Sequence, residues 1–158
     1  MEDVGAVLLV AAVAMFFLVA AIWRHRLDGD GNGSGRILLP EAGHKIERPL
    51  RIDGELSSVV HGYHAWLALE TENLLFPVEP ELPAGGGHFA AEIAGEQIPD
   101  KPFSLMLLLV GAKCQRAIEY WLLQGGLGEG YPGFDRITGA SKLDAVRNLL
   151  PESKVGAR

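Results

Sequence analysis

Cysteine is nearly absent: Cys114 stands alone among 158 residues, so no disulfide can form within the chain. Cations are scarce as well. Fourteen Lys and Arg against twenty Asp and Glu leave a formal net charge of −6. That balance argues against broad nucleic-acid binding, which needs cations to displace phosphate counterions. Long apolar runs are missing after the first thirty residues. Phe103–Ala112 is largely apolar for only ten residues, too short to cross a bilayer. A length near 150 residues implies one ordinary domain plus whatever the ends contribute.

The mean hydropathy of +0.16 traces to one segment. Val4–Trp23 reads VGAVLLVAAVAMFFLVAAIW, twenty residues without a charge. As a helix it spans roughly 30 Å, the thickness of a bilayer's hydrocarbon core. A backbone inserted in lipid must satisfy its own hydrogen bonds, which makes such a run helical. A cleaved signal peptide would start with basic residues and have a core of about 7–15 residues. Here the leader is Met1-Glu2-Asp3 and Arg24-His25-Arg26 follows as a stop. The expectation is a retained single-pass anchor over residues 1–26, with Trp23 at the interface and Arg24 and Arg26 just beyond it.

No Lys or Arg precedes this span, whereas Arg24, Arg26, Arg36 and Lys45 follow it. The positive-inside rule then places the N-terminus outside and the C-terminal domain in the cytoplasm, at the cell (inner) membrane. A lone reduced cysteine suits that compartment. Residues 27–44 read as a flexible linker, richest in glycine over LDGDGNGSG at 27–35. Asp28, Asp30, Asn32 and Gly33 imitate an EF-hand loop, but Leu39 stands where that loop needs its bidentate glutamate. A plain tether is the expectation.

Residues 45–150 carry a different pattern, short runs broken by Pro and Gly. Ile46–Asp53 reads as a first strand, confined to an edge by Pro49. Val59–Glu70 alternates, with Tyr63, Ala65, Leu67 and Leu69 on one face and His64, Trp66 and Ala68 on the other. An amphipathic helix over Glu55–Phe76 is the alternative, disfavoured by Val59, Val60, Tyr63 and Trp66. Asn73–Val78 reads as a short strand ended by Pro77 and Pro80, and His88–Ile93 as another. Phe103–Val110 is apolar at nearly every position, the mark of a central strand covered on both faces. Cys114, Ala117, Ile118, Trp121 and Leu122 recur at helical spacing, closed by Gly125-Gly126. Ser141–Leu150 closes the domain as a short helix or a strand, and residues 151–158 read as a tail. The expected fold is an N-terminal single transmembrane α-helix plus a mainly-β, β-sandwich-like domain with one short amphipathic helix.

The order of these features resembles a small bacterial β-sandwich module, immunoglobulin-like in outline, appended to membrane-anchored and signalling proteins. The residues that carry the resemblance are RIDGE at 51–55, GYHAWLALE at 62–70, LLFPVEP at 74–80, HFAAEI at 88–93, PFSLMLLLV at 102–110, AIEYWLLQGG at 117–126 and YPGF at 131–134. The resemblance implies recognition of another protein or a ligand rather than catalysis, and it supplies no catalytic residues.

Several constellations invite chemistry. His61 and His64 would share a face on a helix but not on a strand, so no metal site is expected. The glycine runs at 85–87 and 125–130 lack the Lys-Ser/Thr pair of a phosphate loop. Cys114 falls on the apolar side of its helix, where free cysteines mostly pack. Glu70/Glu72 and Glu79/Glu81 read as a solvated acidic rim. Among the large rings, Trp66, Phe76, Trp121, Tyr131 and Phe134, most are expected in the core. Tyr131, Pro132 and Phe134 lie in a loop, where aromatics anchor partners. With Trp66 they are the partner-binding candidates.

The expectation is therefore a non-enzymatic accessory or scaffold subunit. It sits in the lipid bilayer and docks its domain onto an integral membrane protein complex, with no cofactor. The alternative is a membrane-tethered sensor or signalling effector that binds a small molecule or regulatory protein, in a pocket lined by Trp66 or Tyr131.

Overall fold

The computed structural model describes residues 33–125, 132–135 and 137–152. Among these residues eight strands and one α-helix follow in order: β1 (Gly35–Leu39), β2 (Lys45–Ile46), β3 (Leu50–Leu56), β4 (Tyr63–Thr71), β5 (Leu74–Leu82), β6 (Gly87–Ile93), β7 (Phe103–Gly111), α1 (Ala112–Leu123) and β8 (Ala140–Pro151). The domain is mainly β with one short helix. Its strands form two sheets, ordered β1-β3-β6 and β2-β8-β7-β4-β5. All neighbours are antiparallel except β2 and β8.

Alternation explains how the sheets meet. In β3, Leu50, Ile52 and Leu56 are buried while Arg51 and Glu55 face water. In β4, Ala65, Leu67 and Leu69 join Leu105 and Leu107 of β7 in a core shared with Ile52, Phe89 and Ile93 of the other sheet. The opposite faces of β4 and β7 supply Trp66, Ala68, Leu108 and Val110 to a second cluster, closed by Cys114 and Ile118 of α1. β7 is thus covered on both sides, which is why its run is apolar at nearly every position.

Local chemistry sets the turns. Glu72 and Asn73 both have positive φ, 52° and 65°, and close the β4–β5 hairpin in two residues. At the end of α1, Gly125 takes φ 105°, a conformation that side chains rarely adopt, and stops the helix where the sequence predicts. β1 is tied to the other sheet by Asp144, whose carboxylate accepts the Ile37 N–H at 2.8 Å.

The structure corrects several expectations. Gly35–Leu39, inside the stretch read as linker, form β1, because Gly35 and Ile37 fit the core beside β3. Pro49 does not make an edge strand: it precedes Leu50, the first residue paired to β6, so β3 loses no ladder donor and lies in the middle of its sheet. β5 passes through both Pro77 and Pro80, which an edge strand tolerates. β4 begins at Tyr63, so His61 falls in a turn before it. The last element is a strand.

The anchor at 1–26 with Trp23, Arg24 and Arg26, the acidic stretch at 28–32, Tyr131 and the tail from 153 lie outside the described residues. Among the described residues no helix is long and apolar enough to cross a membrane.

Candidate functional site

The outer side of the five-stranded sheet, beneath α1, gathers the polar side chains that merit a functional reading. Alternation in β4 turns His64 and Trp66 toward the helix, and β5 brings Glu81 beside them. Gln115, in the first turns of α1, lands among the three and is the one polar side chain buried among the described residues. Its Oε1 accepts the Trp66 indole N–H at 2.7 Å. Its Nε2 donates to Glu81 Oε2 at 3.0 Å and to Glu119 Oε1, one helical turn on, at 2.9 Å. Both amide hydrogens and the amide oxygen are therefore used, which is what burial demands of such a group.

Glu81 extends the chain outward. Its Oε1 lies 2.7 Å from His64 Nδ1. A carboxylate only accepts, so Nδ1–H is the donor of this pair. The result is a relay, Trp66–Gln115–Glu81–His64, running from the core to a half-buried rim. It fixes α1 on the sheet and orients one imidazole.

A second arrangement lies at the other end of α1. Trp121 is buried, and its indole N–H donates to the Pro132 carbonyl at 2.9 Å. Its ring meets Phe76 edge-on, with centroids 6.4 Å apart, and Phe134 at 5.7 Å. Phe134 also exchanges two backbone hydrogen bonds of 2.9 Å with Leu75 of β5. Gly133 is required there: a Cβ would lie 2.8 Å from the Phe76 ring. The segment 132–134 is thus clamped on two aromatic rings, Phe76 and Trp121.

These contacts sort the partner-binding candidates. Trp66 is a core residue at 3% exposure, its N–H taken by Gln115, and it offers no surface to a partner or a pocket. Phe134 is half-buried and serves the clamp, Pro132 is exposed, and Tyr131 lies outside the described residues. Beside the clamp, however, Tyr120 and Leu123 are 62% and 82% exposed, three residues apart on one flank of α1. Reading the stripe Cys114–Leu122 as the helix's only apolar face passes over them. The available signal was a tyrosine and a leucine off that stripe.

Cys114 is buried against the second cluster, and burial pushes its thiol above the ordinary value of 9.0. The folded protein is expected to react with iodoacetamide at pH 7.5 at least tenfold more slowly than in urea, because the thiolate is the nucleophile. Equal rates would contradict the packing of α1. Among the described residues no three His, Cys, Asp or Glu side chains group as a metal site. An open groove of about 440 Å³ lies elsewhere, lined by Ser34, Arg36, Glu55, Ser57 and His88 near the start of β1.

Comparison of the chain with family models, with curated proteins and with solved structures found no match in any of the three.

Proposed function

We propose that the chain is a non-enzymatic accessory subunit, held in the cell membrane by Val4–Trp23, that docks a cytoplasmic domain onto a larger membrane protein complex. The observation that carries this reading is the exposed pair Tyr120 and Leu123 on a helix locked at both ends. Gln115 pins the start of α1 and Trp121 its end. An apolar pair on a frame that rigid loses little entropy on binding, which favours its use as a contact anchor. Two sheets around a shared core support the β-sandwich reading of the domain.

Replacing Tyr120 and Leu123 together by serine tests the docking surface. Stability is expected to stay within about 0.5 kcal/mol, since both side chains face solvent. Recovery of companion proteins with the full chain is expected to fall about tenfold or more. Unchanged recovery would overturn the reading. For orientation, a cysteine added at the C-terminus is expected to resist an impermeant thiol label in intact cells and to react after permeabilisation; reaction in intact cells would reverse the topology.

The second reading, a membrane-tethered ligand sensor, draws on the groove at Ser34–His88, where Arg36, Glu55, Ser57 and His88 present both charges and a hydroxyl. It requires the domain to be stable and binding-competent alone.

A further inference from the structure

The two sheets have four edges: β1 and β6 in one, β2 and β5 in the other. Exposed edges invite pairing with other chains, and proteins guard them with prolines, bulges, short strands or covering groups. Three of these edges are guarded. β5 carries Pro77 and Pro80 and is bridged at Leu75 to Phe134. β1 shifts register between Ile37 and Leu39, and the Ile37 N–H is taken by Asp144. β2 is two residues long, and β8, which forms the rest of that side, shifts register twice against β7 and carries Lys142 and Arg147.

β6 has no such guard. It runs in unbroken register with β3 from Gly87 to Ile93. It holds no proline, lysine or arginine, and among the described residues nothing pairs with its other side. Alternate N–H and C=O groups of the strand therefore point outward.

The sequence of that edge is complementary to itself. His88, Ala90 and Glu92 face outward, while Phe89 and Ile93 are buried. Antiparallel pairing of β6 with a copy of itself about Ala90 sets each His88 opposite Glu92 of the second copy and Ala90 opposite Ala90. On the inner face the same register sets Phe89 against Ala91, large against small. Neighbouring strands continue the pattern, because Arg36 pairs with Glu55, Glu55 with His88, and Arg51 with Glu92. Across the joint the row reads Arg36, Glu55, His88, then Glu92 and Arg51 of the second copy. Charges alternate along it whenever His88 is protonated, and a neutral imidazole still donates a hydrogen bond to Glu92. Any shift of register by one residue would put Phe89 on the outer face.

We propose that a second copy of this chain occupies the β6 edge, paired antiparallel about a two-fold axis at Ala90, so that two three-stranded sheets become one of six strands. Such an interface is isologous, each residue contact occurring twice. It uses a surface apart from the α1 flank and stands whether or not that flank docks on a companion.

The test uses the full chain extracted in mild detergent. Paired Cα atoms in an antiparallel ladder lie about 4.5–5.5 Å apart, inside the range of roughly 4.4–6.8 Å that a disulfide spans. A90C is therefore expected to convert mostly to a covalent homodimer on copper–phenanthroline oxidation. A117C, exposed on α1, and the wild type with its buried Cys114 are expected to remain uncrosslinked. By sedimentation the wild type is expected to be a dimer. E92K, which opposes a cation to His88 twice, is expected to raise the dissociation constant on the order of tenfold. Combining it with H88E reinstates opposite charges and is expected to recover most of that loss. A wild type that is monomeric throughout would overturn the proposal, as would a dimer that A90C does not crosslink. Crosslinking of A90C to a different polypeptide would assign the edge to another protein.

Discussion

Trp121→Ala is expected to lower the unfolding free energy by about 3–5 kcal/mol, the range for truncating a large buried aromatic. Three losses coincide. The edge contact with Phe76 and the tilted contact with Phe134 disappear. The Pro132 carbonyl also loses its donor, and the clamp on residues 132–134 goes with it. Trp121→Phe separates these contributions: it keeps a ring among the neighbours and removes the N–H, at an expected cost of about 1–2 kcal/mol. Urea denaturation followed by far-ultraviolet circular dichroism reads both values. A loss below about 1 kcal/mol for the alanine variant would mean that the end of α1 is not clamped, and the rigid frame behind Tyr120 and Leu123 would go with it.

Gly54→Ala is the second large effect, expected at about 3 kcal/mol, the upper part of the range for overpacking a core. Gly54 is paired directly to Phe89 across the β3–β6 ladder, and the ring lies over the glycine. A Cβ there would stand 2.3 Å from Phe89 Cζ and 2.6 Å from the Arg36 carbonyl oxygen. The ring can move, but the carbonyl belongs to a paired strand and cannot without loosening β1. Gly54→Ala with Phe89→Leu is therefore expected to lose less than the sum of the two single losses, since the ring clash is relieved only once. Strict additivity in thermal or urea melts would show that ring and glycine do not meet.

Local periodicity carried much of this fold. The split of β4 into Ala65, Leu67 and Leu69 against His64, Trp66 and Ala68 is visible in sequence, and the two clusters divide along it. The nearly continuous apolar run of β7 announced a strand covered on both faces, and the spacing Cys114–Ile118–Trp121 announced α1. What stayed hidden depends on distant partners. β1 is five residues beside a glycine-rich stretch, and it is fixed by β3 and by Asp144, more than a hundred positions away. Pro77 and Pro80 read as stops because nothing local says that β5 is an edge.

The candidate sites follow the same rule. Gln115 meets Trp66 and Glu81 from 49 and 34 positions away, so no spacing within α1 could reveal their relay. Trp66 reads as a surface anchor only while its indole N–H has no visible partner. Tyr120 and Leu123 were legible in principle, because each departs from the period that assigns α1 its buried face. The proposed docking pair is such a departure, where a folded element keeps apolar side chains that its own core does not use.

The docking account is tested most directly by the composition of the native particle. Membranes are extracted in mild detergent, the particles resolved by native electrophoresis, and the polypeptides in the band identified and quantified by mass spectrometry. The account predicts this 17.0 kDa chain in fixed stoichiometry with other membrane proteins, in an assembly much larger than itself. Recovery of the chain alone, as a monomer or a homodimer without companions, would contradict it.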